Sequence, residues 1–119
     1  MSSSKLGTME ERFADIIWDN APILSGELVK LAEQKLGWKK STVYTVLKRF
    51  SQKGVFVNEN GIVKPVLTRE DYKVSQAERI VKEHFHSSLP SFIAAFTLRN
   101  KLSEEELRSI REIIDSCGK

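Results

Sequence analysis

WKKSTVYTVLKRFSQK, residues 38–53, is short, basic and helical in its pattern, and Gly54 follows it. No acidic residue stands between Glu33 and Glu59, whereas Lys35, Lys39, Lys40, Lys48, Arg49 and Lys53 all do. The whole chain of 119 residues has a formal charge of only +3, so the stretch between those two glutamates holds twice that excess. A local excess of this kind points to a polyanionic partner, because neutralising phosphates releases condensed counterions. Placed on a helix at about 100° per residue from Ser41, Val43, Leu47 and Phe50 fall together with Val46 on their flank, a core-facing stripe. Ser41, Thr45, Lys48 and Gln52 form the opposite stripe, bordered by Tyr44 and Arg49. Hydroxyls, an amide and cations on one face suit a groove of double-stranded DNA. They also suit an ordinary solvated surface, so the neighbours of this helix must decide.

Upstream, Thr8 with Glu11 makes a capping box, and Met9, Phe13, Ile16 and Ile17 follow at helical spacing with Trp18 beside them. Asn20-Ala21-Pro22 ends that helix, Ile23 and Leu24 read as a short extended connector, and residues 1–7 read as a loose end. Ser25 is expected to cap a second helix with Leu28, Val29, Leu31, Ala32 and Leu36 on its apolar face. Gly37 should stop it as a left-handed C-terminal residue. The basic helix is expected to begin at Ser41 or Thr42. Two helices joined by a short Gly-containing turn, the second one basic, form the helix-turn-helix pattern.

Downstream, Val55-Phe56-Val57 and Ile62-Val63 flank Asn58-Glu59-Asn60-Gly61, and Asn-Gly between apolar runs is a strong hairpin signal. Pro65 should end the second strand or confine it to an edge. Helix-turn-helix followed by hairpin predicts a winged helix. The fold class is therefore mostly α with a small β-hairpin, with a winged-helix DNA-binding domain over 1–68 and a helical dimerisation region over 69–119.

Three helices are predicted in that second region. The first opens at Thr68 and carries Val74, Ala77, Ile80, Val81 and Phe85 as its stripe. The second begins at Ser88 or Leu89 with Pro90 in its first turn and carries Phe92, Ile93, Ala95, Phe96 and Leu98. The third is capped by Ser103, has Glu104, Glu105 and Glu106 in its first turn, and shows Leu107, Ile110, Ile113 and Ile114 on one face. So small a set of helices cannot close a core alone. A second copy of the chain is the expected cover, with packing back on the N-terminal domain as the alternative.

Other chemistry finds little support. The six glycines are scattered, so there is no phosphate loop, and no nucleophile has an evident base and orienting group. His84 and His86 lie two apart and would point to different sides of a helix, and Cys117 is alone near the end. No metal, no cofactor and no enzymatic activity is expected. Trp18 and Trp38 read as packing residues. The single cysteine, the absence of a run near the ~18 apolar residues of a spanning helix, and an N-terminus without an apolar signal segment point to the cytoplasm, away from any membrane.

The ordered features resemble those of a known family. STVYTVLKRFSQKG at 41–54 after Trp38, MEERFADIIWDNAPILSGELVKLAE at 9–33, VLTREDYK after Pro65, and SLPSFIAAFTLRNKLSEEELRSIREII at 88–114 together resemble the penicillinase-repressor (BlaI/MecI/CopY) family of bacterial transcriptional regulators. The resemblance covers roughly residues 8–116. It implies a homodimeric winged-helix repressor on a palindromic operator. In that family, release follows cutting of an Asn–Phe bond in the dimerisation region by a regulatory sensor-protease, and the matching pair here is Ala95-Phe96. The copper-responsive branch carries a Cys-x-Cys site, whereas this chain has Cys117 only.

On this reading Ser41 and Thr42 would contact phosphate near the helix N-terminus, and Tyr44, Thr45 and Lys48 would reach the major groove. Lys39, Lys40, Arg49, Gln52 and Lys53 would contact mainly the DNA backbone. The alternative is a winged-helix protein-interaction module that applies its basic helix to an acidic partner.

Overall fold

Thr8 starts the first helix, α1 (Met9–Asn20), with the reciprocal cap expected of it. Its hydroxyl accepts from the Glu11 N–H at 3.0 Å, and the Glu11 carboxylate accepts from the Thr8 N–H at 3.0 Å. The computed structural model describes residues 8–118, so the loose end expected over 1–7 lies outside the described residues. Phe13, Ala14, Ile16 and Ile17 are the buried face of α1.

The connector expected at Ile23–Leu24 is a strand. This β1 (Ile23–Leu24) pairs antiparallel with the hairpin, Ile23 opposite Val63 and Leu24 opposite Ile62. The next helix, α2 (Ser25–Leu36), corrects a second expectation: Leu24 holds the cap position, and no side chain caps the helix. Ser25 is already helical. Its N–H donates to the Gly61 carbonyl at 2.8 Å, so the hairpin turn satisfies the first of the helix's unpaired N–H groups. Gly37 ends α2 at φ 71°, where a side chain would meet the left-handed penalty, as expected.

The basic helix, α3 (Lys40–Gln52), begins one residue before Ser41. Lys39, in extended backbone, closes the first turn by accepting the Val43 N–H at 3.1 Å, and no hydroxyl cap marks the start. Strands β2 (Phe56–Glu59) and β3 (Ile62–Pro65) form the hairpin, with Asn58 opposite Val63. Its two-residue turn has positive φ at both Asn60 (55°) and Gly61 (82°), the mirror-image turn that Asn-Gly favours. With order β1-β3-β2, β3 is the central strand. Pro65 is compatible with this because it ends β3, opposite Phe56, beyond the two residues to which β1 pairs.

Phe13, Ile17, Leu28, Val43, Phe56 and Val63 are fully buried between these helices and the sheet. The Phe50 ring lies 6.5 Å from Phe13, 5.4 Å from Phe56 and 6.1 Å from Tyr72, between centroids. Tyr72 belongs to α4 (Arg69–His84), whose first turn is capped by the Thr68 hydroxyl accepting from the Asp71 N–H at 3.0 Å. The Trp18 indole N–H donates to the Leu67 carbonyl at 3.0 Å, and its ring lies 5.5 Å from Tyr72. Trp38 packs 5.0 Å from Phe13, so both tryptophans are packing residues.

The chain divides into two compact units between Ser75 and Gln76. The second holds the rest of α4, then α5 (Leu89–Arg99) and α6 (Glu104–Cys117). Helix α5 begins at Leu89 with Pro90 in its first turn, as expected, and Ser88 caps it; Ser103 caps α6 as expected, and Glu106 completes a capping box with it. His86 and Ser87 turn the chain between α4 and α5 with φ of 52° and 64°. Phe85, Phe92 and Phe96 form a ring series at 5.4 and 6.0 Å. Among the described residues no side chain of α4, α5 or α6 is buried. Ile80, Ile93, Phe96, Ile110, Ile113 and Ile114 are exposed, while Val81, Phe85, Phe92 and Leu107 are half-buried.

Candidate nucleic-acid interface

Helix α3 is seated by Val43, Val46, Leu47 and Phe50, all buried. That burial turns Ser41, Thr45, Lys48 and Gln52 outward, and all four are exposed, as are Lys39, Lys40, Arg49 and Lys53. Thr42 and Tyr44 are half-buried. The structure thus brings the expected outward stripe together on one helix face, with Lys39 and Lys40 at its start and Lys53 at its end.

Charge pairing separates these cations. The Arg49 guanidinium donates to the Glu10 carboxylate at 2.7 Å across to α1, with both side chains about half exposed. Among the described residues Lys39, Lys40, Lys48 and Lys53 make no ion pair, and they form the free positive surface of the helix. The Tyr44 hydroxyl donates to the Ser25 hydroxyl at 3.1 Å, which ties the flank of α3 to the start of α2. The sequence offers Ser25 only as a helix cap, not as a partner of Tyr44, and gives no sign that Glu10 pairs with Arg49. Glu10 reads locally as a dipole-favouring residue, and nothing near it signals a partner 39 positions away.

The wing adds no free cation. Lys64 is its one basic residue, and its ammonium lies 2.7 Å from the Glu59 carboxylate. The hydrogen bond and charge of Lys64 hold the Glu59 carboxyl below the usual carboxylate range. Lys39, Lys40, Lys48 and Lys53 thus lie on α3 and its two ends, a stretch that holds no acidic residue. Among the described residues no helix is long and apolar enough to cross a membrane, and no three His, Cys, Asp or Glu side chains gather around a possible metal position.

Helix-turn-helix, three-stranded antiparallel sheet and a run of C-terminal helices make this a winged-helix chain, and the penicillinase repressor family profile matches residues 6–116. The chain belongs to the penicillinase repressor family. It is 22% identical over 104 residues to a penicillinase repressor of Bacillus licheniformis, which covers 84% of this chain and 81% of that protein. It is 20% identical over 116 residues to the methicillin resistance regulatory protein MecI of Staphylococcus aureus, covering 93% of this chain and 94% of that protein. The penicillinase repressor match runs through both compact units, from before α1 to within α6.

Proposed function

We propose that the chain is a homodimeric transcriptional repressor whose α3 enters the major groove of a palindromic DNA operator. The observation that carries this is α3 itself: an acid-free helix seated by a buried apolar face, with unpaired lysines and hydroxyls on the outward one. Membership of a repressor family supports the same reading. Residues 1–68 are the DNA-binding part and 69–119 the dimerisation part. The exposed Ile80, Ile93, Phe96, Ile110, Ile113 and Ile114, with Val81, Phe85, Phe92 and Leu107, supply the apolar faces that a second copy would cover. A two-fold dimer then reads two half-sites about one helical turn of DNA apart, or a multiple of it. If a regulatory protease acts at Ala95-Phe96, α5 opens locally first, because that bond lies inside the helix.

Thr45 and Lys48 are the base-reading residues of this proposal, and Lys39, Lys40, Ser41, Thr42, Gln52 and Lys53 face the phosphates. Lys48→Ala is expected to cost about 1–3 kcal/mol of binding and to relax preference at one base pair. Lys40→Ala is expected to weaken all sequences alike and to reduce the salt slope by about one unit. Both are measured by fluorescence-anisotropy titration across a salt series. A wild-type titration without salt dependence sinks the reading, and no retention of duplex DNA at low salt would favour the protein-interaction module.

Glu10→Gln tests how Arg49 is used. Freed from its carboxylate, Arg49 becomes available to the backbone, so affinity should rise several-fold and the salt slope steepen by about one unit. Unchanged affinity would mean that Arg49 stays clear of DNA.

A further inference from the structure

We infer that Tyr44 is a positioning residue for operator recognition: its hydroxyl, held by Ser25, sets the rotation of α3 about its own axis and so aims Thr45 and Lys48. The inference rests on the repressor reading above, and Tyr44 and Ser25 both belong to the first compact unit. The sequence places Tyr44 among the groove residues. In the structure its side chain is half-buried, and its hydroxyl donates to Ser25 Oγ at 3.1 Å. Ser25 is fixed in turn, because its N–H donates to the Gly61 carbonyl at 2.8 Å. The flank of α3, the start of α2 and the turn of the wing are therefore joined through one serine.

Helix periodicity shows why this bond bears on recognition. At about 100° per residue, Tyr44 and Arg49 stand about 70° to either side of the middle of the outward stripe of Ser41, Thr45, Lys48 and Gln52. Opposite that stripe, Val43, Val46, Leu47 and Phe50 seat the helix through apolar contact. Such contact is non-directional, so it resists lifting of α3 more than rolling. A roll of about 20° carries side-chain tips, about 5–6 Å from the helix axis, through about 2 Å. Hydrogen bonds to base edges hold only within about 0.5 Å, so that roll would break them. A directional bond at the border of the stripe opposes it. At the other border Arg49 has only an exposed ion pair with Glu10, which adds little. Thr45 follows Tyr44 directly and Lys48 lies one turn on, so the anchored residue adjoins both readers. At 3.1 Å the bond is just beyond the usual span of about 2.5–3.0 Å for two hydroxyls, which puts its effect at the low end for a hydrogen bond.

The test uses the full chain, a duplex carrying the sequence that the wild type selects from random DNA, and an unrelated duplex. Tyr44→Phe keeps the ring and removes the hydroxyl. Its preference for the selected duplex over the unrelated one is expected to fall about three- to fivefold per half-site, so about tenfold or more on a palindrome. Affinity for unrelated DNA, the salt slope and Tm should stay near wild type, because no phosphate contact and no packing is lost. Ser25→Ala should give the same loss, and the pair Tyr44→Phe, Ser25→Ala no further loss. Ser25→Thr, which keeps the acceptor, should retain wild-type preference. A Tyr44→Phe loss that Ser25→Ala does not reproduce would make Tyr44 a base-contacting residue and overturns the inference. Preference equal to wild type in Tyr44→Phe, or equal weakening on both duplexes with a lowered Tm, overturns it as well. A wild type that binds no DNA, or that selects no sequence, instead removes the repressor reading on which the inference rests.

Discussion

Phe50→Ala is expected to lower the unfolding free energy by about 3–5 kcal/mol. Phe50 is almost fully buried and its ring faces Phe13, Phe56 and Tyr72. Truncation removes the transfer energy of the ring and leaves a cavity framed by aromatic side chains that cannot collapse into it. Domains of this size are stable by only about 5–15 kcal/mol, so the loss is a large share of the total. Because Phe50 is also the back of α3, DNA affinity should fall with stability. Urea titration should show a lower midpoint with an unchanged slope, and a loss under about 1 kcal/mol would mean that α3 is seated elsewhere.

If the chain is the dimer proposed above, the double substitution Ile113→Asp, Ile114→Asp is expected to give a monomer. Both residues are more than half exposed on the isolated chain, on the face of α6 that also carries Leu107 and Ile110. In a two-fold dimer the change removes four apolar side chains. At the low end of about 1.5 kcal/mol each, that is about 6 kcal/mol, or roughly 10⁴-fold in the dimer Kd. Carboxylates placed in an apolar interface add to the loss. Sedimentation equilibrium reads the result directly, and operator affinity should fall to that of one half-site. A dimer of undiminished strength would place the interface away from α6.

The parts of this fold legible in the sequence are those decided within a few residues. Thr8-Glu11 and Ser103-Glu106 each satisfy helix-end donors through side chains three positions apart, and both caps form. Asn60-Gly61 and Gly37 accept positive φ where the chain must turn. Periodicity also placed Val43, Val46, Leu47 and Phe50 inward, and so oriented the outward stripe of α3. What could not be read depends on partners far along the chain. Ile23–Leu24 is too short to show alternation, and only Ile62 and Val63 make it a strand. Ser25 looks like a cap until the pairing of Leu24 with Ile62 places Leu24 in extended backbone at the cap position and Ser25 in the helix. Arg49 looks like a free cation until Glu10 is folded against it, and Arg69 like any first-turn residue until Asp15 and Asp19 surround it. Charge patterns within a segment give sign and amount, but pairing is a property of the folded surface.

The bond from Ser25 to Gly61 and the β1–β3 pairing together attach the hairpin to the start of the helix-turn-helix and to the chain just before it. The sheet thus closes a loop from Ile23 to Val63, with α2 and α3 inside it. High contact order of this kind delays sheet formation until the helices are in place, and it slows folding relative to a simple helical bundle. It also removes the option of local fraying. The wing cannot peel away while the helices stay folded, because its central strand is held on both sides. Hydrogen exchange at Val63 and Ile23 should therefore report the opening of the whole first compact unit, with the wing and the helices belonging to one foldon.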